Sequence, residues 1–222
     1  MYKIETHLHT CYSSSCGKLD AETIVKGYAE AGYAGLVVVD HFSAYNFGKQ
    51  GWSRNRAEFS PDSFWEGFYQ VREAAKEFGI TVYKGAEVRF DGSPNDYLVY
   101  NCPDAIYEDP DAVFSMGLAA FHALCARNGA LLIQAHPFRL PCEPADPRHL
   151  DGVEIYNRHP RHDSQNHLAV AFAQENPHLL QLCGSDCHQT PDIALGGIIT
   201  PTLPKDEAEL VKYLRDGNFT LL

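Results

Sequence analysis

The sequence has 222 residues, 45% of them hydrophobic, and its 18 Lys and Arg against 29 Asp and Glu give a formal net charge of −11. This length and apolar content predict one globular domain over residues 1–222 and exclude a disordered tail, a coiled coil and a small disulfide-stapled scaffold. A broad nucleic-acid interface is not expected either, because phosphate contacts need a cationic face.

The cysteine count and the lengths of the apolar runs indicate the cellular compartment. Seven cysteines, an odd number without an N-terminal signal peptide, favour a reducing, cytoplasmic compartment. No stretch approaches the roughly 18 uninterrupted apolar residues of a membrane span. We therefore expect a cytoplasmic protein without a membrane segment, and the sequence leaves its oligomeric state open.

Short apolar runs alternate with helical patterns along the whole chain. The predicted strands cover residues 2–5, 36–39, 80–83, 97–100, 131–134, 153–156 and 179–182, and the predicted helices cover residues 21–31, 61–78, 111–127, 161–174 and 206–215. Residues 48–55 and 139–147 are predicted loops, and the second, rich in proline, is a candidate lid. Continuous apolar runs are typical of parallel strands covered on both faces. The alternation therefore predicts an α/β domain with a parallel sheet, open or closed into a barrel.

Side chains that can bind metal ions follow most of the predicted strands. They are His7, His9, Asp40, His41, Glu87, His136, Asp186 and His188, together with Asp96 at the start of a strand. In parallel barrels and in open α/β sheets the ligand site lies at the carboxyl ends of the strands, where the connecting loops converge. We therefore expect these side chains to share one site.

His7 and His9 are two residues apart on a predicted strand, so both side chains point to the same face and can bind one cation. A single His-x-His is more often a pair of half-exposed histidines on an edge strand. Here Asp186 and His188 repeat the spacing near the other end of the chain, after Gly184, a residue that permits a sharp turn out of the strand. The repetition favours a metal site.

The donor types narrow the choice of metal. Imidazole nitrogens with carboxylate oxygens suit Zn²⁺, Mn²⁺ or Fe²⁺ better than Ca²⁺ or Mg²⁺, which prefer oxygen ligands alone. Glu87 can bridge two cations at about 3.5–4 Å, the separation found in two-metal hydrolytic sites. Such a site activates water near neutral pH and neutralises charge on phosphoryl oxygens.

The ordered series His7-x-His9, Asp40-His41, Glu87, His136-Pro137 and Gly184-Ser185-Asp186-x-His188 resembles the PHP (polymerase and histidinol phosphatase) family over nearly the whole chain. The resemblance implies a distorted (β/α)7 barrel with two or three divalent metal ions at the carboxyl ends of the strands. It also implies hydrolysis of phosphate monoesters or diesters, since known members act on histidinol phosphate, nucleotides or DNA ends.

The resemblance also implies a role for each matching residue. The first metal ion would be held by His7, His9, Glu87 and Asp186. Glu87 would bridge to a second ion completed by His136. His41 and His188 would bind a third ion or, without it, assist the leaving group, which makes His41, His188 and Asp186 the candidate catalytic residues.

Two departures from the family pattern leave alternatives open. Where many members have a histidine, this chain has Asp96, which is either an oxygen ligand of the second ion, favouring Mn²⁺ or Fe²⁺, or a solvated turn residue beside Pro94. Where members often place an acid or a histidine for the third ion, this chain has the segment TCYSSSCG, residues 10–17. Its Cys16 supplies either a thiolate ligand or a small packed thiol.

Recognition of a phosphate group calls for guanidinium groups near the strand ends. The candidates are Arg139 and Arg158, with Arg89 and Arg54 as alternatives. Asn157 is predicted to hydrogen-bond to the substrate or to a ligand. Glu154 is a weaker candidate, because its spacing from Asn157 places the two on opposite faces of a regular strand.

The remaining six histidines are not expected to bind metal. They are His122, on a predicted helix, and His149, His159, His162, His167 and His178, near prolines, polar loops or helix starts. Among them, His159 follows a strand end and is a candidate for substrate contact.

The leading hypothesis is a metal-dependent phosphoesterase for a small phosphorylated metabolite or nucleotide. In this hypothesis a metal-activated water attacks phosphorus, and His188, His41 or a metal-bound water protonates the leaving oxygen. One alternative is a metal-dependent amidohydrolase, which normally has an eight-stranded barrel and a bridging lysine. The other is a non-catalytic metal-binding module of the PHP type.

Overall fold

Strands and helices alternate along the chain, and the computed structural model describes all of residues 1–222. The strands are β1 (Tyr2–Leu8), β2 (Tyr33–Val38), β3 (His41–Phe42), β4 (Thr81–Val88), β5 (Tyr97–Tyr100), β6 (Leu131–Gln134), β7 (Gly152–Asn157), β8 (Leu180–Gly184), β9 (Ile198–Thr200) and β10 (Thr220–Leu221). The helices are α1 (Ala21–Glu30), α2 (Ala44–Gln50), α3 (Pro61–Ala75), α4 (Pro110–Met116), α5 (Leu118–Arg127), α6 (Asn166–Glu175) and α7 (Glu207–Arg215).

Seven strands form a nearly closed barrel in the order β1-β2-β4-β5-β6-β7-β8. The two ends of this series meet beyond the paired strands, where His9 N donates to Cys187 O at 3.0 Å and Cys187 N donates to His7 O at 3.1 Å. β9 and β10 extend the sheet past β1 by antiparallel pairing, and β3 pairs with the end of β4. The prediction of a distorted seven-stranded α/β barrel in a single domain is confirmed.

The expectation of a wholly parallel sheet was wrong. β5 runs antiparallel to both β4 and β6, whereas the other neighbours within the barrel are parallel. The connection between β4 and β5 covers only residues 89–96, and a parallel pair needs a crossover of about a dozen residues or more. Because β5 is reversed, its first residue lies at the same barrel end as the last residues of β4.

Three helix boundaries also differ from the prediction. Gly117, with φ 76° and ψ 164°, leaves the helical region and divides the helix predicted over residues 111–127 into α4 and α5. Residues 48–50, predicted as loop, complete α2, which Ser43 caps through a hydrogen bond from Asn46 N. The helix predicted over residues 161–174 begins only at Asn166.

The packing of the core determines which end of the barrel is covered and which is open. One cluster of buried side chains combines residues from six barrel strands with Leu210, Val211 and Leu214 of α7. α7 lies at the start of β6, because its Arg215 donates a hydrogen bond to Ala130 O at 3.0 Å, and its Glu207 accepts one from Lys84 N of β4. It therefore covers the end of the barrel opposite to the carboxyl ends of the parallel strands. Two further clusters fill the space between the strands and helices α1 to α6.

None of the seven helices has both the length and the apolar character that a bilayer span requires.

Candidate metal centre

The predicted metal ligands converge at the barrel end where the parallel strands finish. The strand geometry explains this, because the ligands lie in the last two residues of β1 and β4 or within four residues after β1, β6 and β8. β3 places His41 opposite Glu87. Asp96 reaches the same end because it precedes the reversed strand β5. The residues brought together are His7, His9, His41, Glu87, Asp96, His136, Asp186 and His188.

The carboxylate of Glu87 lies at the centre of this cluster and is completely buried. Imidazole nitrogens from four histidines approach its oxygens, at 2.8 Å for His41 Nδ1, 3.3 Å for His9 Nε2, 3.3 Å for His136 Nε2 and 3.5 Å for His7 Nε2. Neither oxygen has a hydrogen-bond partner of acceptable geometry. A buried carboxylate in this condition is costly, and nitrogen donors around it are the ligand set of a transition-metal ion. The residues therefore fit divalent ions, and Glu87 is placed to bridge two of them.

His7, His9 and Asp186 form the first ligand group. The Nε2 atoms of His7 and His9 lie 3.0 Å apart, and Asp186 Oδ1 lies 3.3 Å and 3.4 Å from them. Ligand atoms bound at about 2.1 Å to one tetrahedral ion are about 3.4 Å apart. The three side chains thus have the spacing of ligands to a common ion.

Glu154 orients His7 within this group. Its Oε1 lies 3.1 Å from His7 Nδ1, and its Oε2 accepts hydrogen bonds from His136 N at 3.0 Å and Asn157 Nδ2 at 2.8 Å. A proton on Nδ1 that points to Glu154 leaves the lone pair of Nε2 directed at the ligand group. Glu154 therefore has a positioning role, which the sequence-based ranking underestimated.

Glu154 and Asn157 both face the cluster, which corrects the prediction that they lie on opposite faces of the strand. Besides its bond to Glu154, Asn157 Nδ2 lies 3.2 Å from Asp186 Oδ2. The pairing of β7 with β8 changes register between Glu154 and Tyr156. An extra residue at such an irregularity reverses the face of the side chains that follow it.

His136, Glu87 and Asp96 form the second ligand group. His136 Nε2 lies 3.3 Å from Glu87 Oε1 and 3.9 Å from Asp96 Oδ2. Asp96 is buried, which argues against the alternative of a solvated turn residue. However, Arg89 donates two hydrogen bonds to its carboxylate, at 2.7 Å and 2.5 Å. Asp96 is thus available to a second ion only in competition with Arg89.

Three imidazole rings form the third group. The ring of His9 lies 4.4 Å from that of His41 and 4.3 Å from that of His188, centroid to centroid. Cys16 is exposed at the mouth of the site. Partial burial of its sulfur opposes ionisation, but His41 and His188 outweigh it and lower the pKa of the thiol to about 6. A thiolate beside these two rings is therefore accessible at neutral pH.

The cluster shifts the pKa values of its own histidines. Burial opposes protonation of His7, yet nearby carboxylates, Asp186 foremost, raise its pKa well above the usual value. For His136, burial and Arg139 oppose protonation, but Cys142 and Glu87 outweigh them and raise the pKa to about 9. Without metal, these rings therefore hold protons that a bound ion displaces.

Asp40 holds a loop and does not face the other ligands. Its carboxylate accepts hydrogen bonds from Thr10 N and Thr10 Oγ1, both at 2.8 Å, and from Ser14 Oγ at 2.6 Å. Ser14 Oγ in turn accepts a hydrogen bond from His41 N at 3.0 Å. Asp40 thus fixes the loop after β1 against the backbone of His41.

Backbone geometry at two ligands is unusual. Asp186 has φ 51° and His136 has φ 28°, and such left-handed conformations cost non-glycine residues on the order of 1–3 kcal/mol and concentrate at functional sites. Gly184, predicted to make the turn, has no positive φ. A Cβ there would lie 2.5 Å from His7 Cβ and 2.7 Å from Glu154 Oε1, so glycine allows the close approach of β8 to β1 while Asp186 makes the turn.

A cavity of about 340 Å³ opens above the ligand cluster. It is lined by candidate ligands, by basic residues, by Leu140, Pro141 and Cys142 of the predicted lid segment, and by Cys16, Pro94 and Gln189. The basic residues are Arg89, Arg139, Arg161, His159 and His162. Ligand cavities for small molecules start at about 300 Å³, so a small metabolite fits this space.

Arg139 lies in the site. Its Nη1 donates to Asp186 Oδ2 at 2.7 Å, its Nη2 donates to Asn157 Oδ1, and its Nε and Nη2 both contact Ser164 Oγ. The guanidinium group is therefore held beside the carboxylate of Asp186, where it places a fixed positive charge next to the candidate metal ligands.

The structure does not bring Arg158 or Arg54 to the cavity. The guanidinium group of Arg158 packs over the Tyr156 ring, 4.8 Å from its centroid, and contacts the carbonyl oxygen of Leu222. Arg54 forms surface ion pairs with Asp91 and another aspartate. Of the predicted arginines, Arg139 and the alternative Arg89 line the cavity.

Sequence reasoning missed Arg161 and His162 as cavity residues. Both follow β7, in the segment from Arg158 to His162 that contains two arginines and two histidines around a proline. This density of basic side chains directly after a strand end was the available signal. Of the six histidines not expected to bind metal, four lie outside the cavity lining: His122, His149, His167 and His178.

The sequence matches the PHP domain family over residues 5–217. None of the curated proteins is similar enough in sequence to match the chain.

Three solved structures illustrate the structural similarity. A two-domain protein from Bacteroides vulgatus, which contains a predicted PHP-like metal-dependent phosphoesterase, superposes with a TM-score of 0.68 at 16% identity over 100% of this chain, which spans 64% of that chain. PsfC from Pseudomonas syringae gives 0.69 at 16% identity over 100% and 91% of the two chains. An amidohydrolase from Chromobacterium violaceum, with bound sulfate and no metal, gives 0.56 at 15% identity over 98% and 97%. At these identities the similarity shows a common fold.

Proposed function

The chain belongs to the PHP domain family, and on that premise we propose that it is a metal-dependent hydrolase of phosphate esters that acts on a small phosphorylated metabolite or nucleotide. One observation carries the proposal. The buried Glu87 carboxylate has four imidazole nitrogens within 3.5 Å and no hydrogen-bond partner. Such a centre suits two divalent ions that share a bridging carboxylate, which is the arrangement of hydrolytic two-metal sites.

The ligand groups suggest how the ions are shared. His7, His9 and Asp186 with Glu87 would hold one ion, His136 and Asp96 with Glu87 a second, and His41 with His188 a third. The nitrogen-rich first group suits Zn²⁺ or Fe²⁺, and the more acidic second group suits Mn²⁺ or Fe²⁺. When bound, these ions supply a nucleophilic water near neutral pH and neutralise charge on phosphoryl oxygens.

The side chains around the ligands supply binding and orientation. Arg139 is anchored to Asp186 and Asn157, so its charge stays fixed as a phosphoryl group enters. A fixed guanidinium group favours the transition state because it needs no reorganisation when negative charge develops. It also offsets locally the net charge of −11, which otherwise repels an anionic substrate.

His188 and His41 are the candidates for proton transfer to the leaving oxygen. Their side chains are 13% and 19% exposed, whereas those of His7 and His9 are fully buried. His188 Nδ1 lies 2.8 Å from Asp186 O, so a proton on Nδ1 is held by the backbone and Nε2 remains for exchange with substrate or metal. The more exposed rings therefore contact the substrate, and the buried rings serve as ligands.

The amidohydrolase alternative is less well supported. It calls for a bridging lysine, but the central position belongs to Glu87 and no lysine lines the cavity. The barrel has seven strands. A non-catalytic module is also disfavoured, because the complete ligand series lies in one cluster, with only His41 and His188 partly exposed, beside an open cavity.

The proposal is tested by assaying the protein, loaded separately with Zn²⁺, Mn²⁺ and Fe²⁺, against phosphate monoesters, phosphate diesters, and N-acyl amides. Turnover of phosphate esters with at least one metal is expected. Turnover of amides alone supports the amidohydrolase alternative. Full metal occupancy without turnover of any ester contradicts the proposal.

A further inference from the structure

The cavity contains a cluster of basic residues that the proposed chemistry does not use. Arg139 is already committed to Asp186, Asn157 and Ser164 beside the metal ligands. Arg161 and His162 lie further along the loop after β7 and contact none of the eight candidate metal ligands through their side chains. They nevertheless line the same cavity.

His159 connects this group to the metal end of the cavity. Its ring lies 5.5 Å from the ring of His188 on one side and 4.6 Å from the ring of His162 on the other, centroid to centroid. Its Nε2 accepts a hydrogen bond from Arg161 Nη2 at 2.9 Å. Arg161 is therefore separated from the candidate metal ligand His188 by the width of one imidazole ring. A substrate whose phosphoryl group lies at the metal centre can reach Arg161 with its other end.

Arg161 is held in place before any ligand binds. It donates to both carboxylate oxygens of Asp192, with Nη2 at 2.6 Å from Oδ2. Asp192 is completely buried and also accepts hydrogen bonds from His188 N at 3.0 Å and Gln189 N at 2.9 Å. Because this carboxylate is shared among three donors, it does not fully neutralise the guanidinium group. The Arg161 side chain remains 35% exposed, so part of it is open to a ligand.

From this arrangement we propose that Arg161, with His159 and His162, forms a second anion-binding subsite. The substrate of the proposed phosphoesterase is then a small phosphate ester that carries a second anionic group, a carboxylate or another phosphate, a short distance from the ester that is cleaved. This inference rests on the proposed function for the identity of the first anion. Preorganised donors raise affinity because less ordering is needed on binding, and a guanidinium group suits carboxylates and phosphates alike.

The test compares three esters that share a three-carbon chain: propyl phosphate, 3-(phosphonooxy)propanoate and propane-1,3-diyl bisphosphate. With the metal-loaded protein, we expect KM to be at least tenfold lower for one or both of the doubly anionic esters than for propyl phosphate. The member with the lower KM identifies the second anion as a carboxylate or a phosphate. Equal KM values for all three overturn the proposal.

Variants separate recognition from a structural role of Arg161. Arg161→Gln should raise KM for the preferred doubly anionic ester at least tenfold and that for propyl phosphate no more than about threefold, and Arg161→Lys should restore part of the difference. If Arg161 only braces Asp192, all three esters lose equally, and the proposal fails. Arg127→Gln, at an exposed residue of α5 outside the cavity lining, controls for the lost charge.

Equilibrium binding keeps this proposal distinct from the proposed function. The same three esters are titrated calorimetrically into the wild type and Arg161→Gln. A binding preference for the second anion that disappears in Arg161→Gln supports the subsite even if no ester is hydrolysed, in which case only the phosphoesterase proposal fails. Equal binding of the three esters by the wild type contradicts the subsite even if all are hydrolysed.

Discussion

His7 Nδ1 lies 3.1 Å from Glu154 Oε1, and both side chains are completely excluded from solvent. The pair holds a proton on Nδ1 and directs the other nitrogen of His7 at the ligand group. Removing a carboxylate that orients a metal-binding histidine in this way typically lowers metal affinity by about 10–100-fold. The pair therefore provides a direct test of the metal centre that does not remove a ligand.

We expect Glu154→Gln to weaken metal binding by about 10–100-fold, because the amide keeps the shape and a hydrogen-bond acceptor but loses the charge that makes His7 a stronger donor. Competition with a chromophoric chelator measures the affinity. Glu175→Gln, at an exposed residue at the end of α6, is the matched control. Identical affinities for wild type and Glu154→Gln contradict the assigned role.

Removal of the Glu87 carboxylate, the proposed bridge between two ions, should empty the centre. In Glu87→Ala, we expect less than one ion per chain by elemental analysis and a loss of phosphoester turnover of at least 100-fold, because both ligand groups share Glu87. Glu30→Ala, at an exposed residue of α1, should retain metal and activity. Far-ultraviolet circular dichroism checks that the variant is folded. A folded variant with full metal content argues against bridging by Glu87.

The guanidinium group of Arg89 donates two hydrogen bonds to Asp96, so in the proposed second ion site Arg89 would compete with the metal ion for this carboxylate. Arg89→Gln should therefore strengthen binding of the second ion by roughly tenfold, the effect of releasing one charged ligand, while Asp96→Asn should weaken it. Titration of metal-free protein with Mn²⁺, followed by electron paramagnetic resonance of the free ion, measures both changes. If the two variants shift the affinity in the same direction, Asp96 is not a ligand.

The metal-free protein should lose stability as the pH rises from about 6.5 to about 9. His136 has a pKa of about 9 in the folded chain and about 6.5 when unfolded. The folded state therefore binds more protons in this window, so the free energy of unfolding falls with rising pH, by at most about 1.4 kcal/mol per pH unit for one group. Over the same window metal affinity should rise, because fewer protons must be displaced.

Thermal unfolding at pH 6.5 and pH 9.5 checks this pH dependence. With chelator present, Tm should be lower at pH 9.5, and added metal should raise Tm more at pH 9.5 than at pH 6.5. A metal-free Tm that increases between these two values contradicts a protonated His136 in the folded chain.

Most of the metal centre could be predicted from the sequence because its geometry is local. The two-residue period of a strand places His7 beside His9, and Asp186 and His188 follow a strand end in the same way. The turn at this second pair was assigned to Gly184, although Asp186 has the positive φ. The error arose because a glycine needed for close packing has the same sequence signal as a glycine needed for a turn.

Features that depend on strand pairing could not be predicted in the same way. Glu154 and Asn157 share a face only because β7 changes register against β8, and one strand alone does not show this. Asp96 reaches the site only because β5 is reversed. Arg158 and Arg161 are only three residues apart, yet their side chains point in different directions, so that Arg161 and not Arg158 lines the cavity. Side-chain direction in a loop follows from tertiary contacts, which a motif does not contain.

Gly67 is the point where α3 approaches the loop that Asp40 fixes beside the metal centre. A Cβ at Gly67 would lie 2.2 Å from Thr10 Oγ1 and 2.4 Å from Asp40 Oδ2. Replacing glycine by alanine within an open helix normally stabilises a protein by up to about 1 kcal/mol. Here the steric clash should reverse the sign, and we expect Gly67→Ala to lower the free energy of unfolding by about 2 kcal/mol, as overpacking does.

Urea unfolding of the metal-free variants measures the effect of Gly67→Ala, and Gly48→Ala is its matched control. Gly48 also lies in a helix, α2, but no atom lies within 4 Å of a Cβ built there, so this substitution should be neutral or stabilising. Because the clash at Gly67 involves Asp40, Gly67→Ala should also displace the loop next to His41 and weaken metal binding, whereas Gly48→Ala should not. Equal shifts in stability for the two variants show that α3 does not pack closely on Thr10 and Asp40.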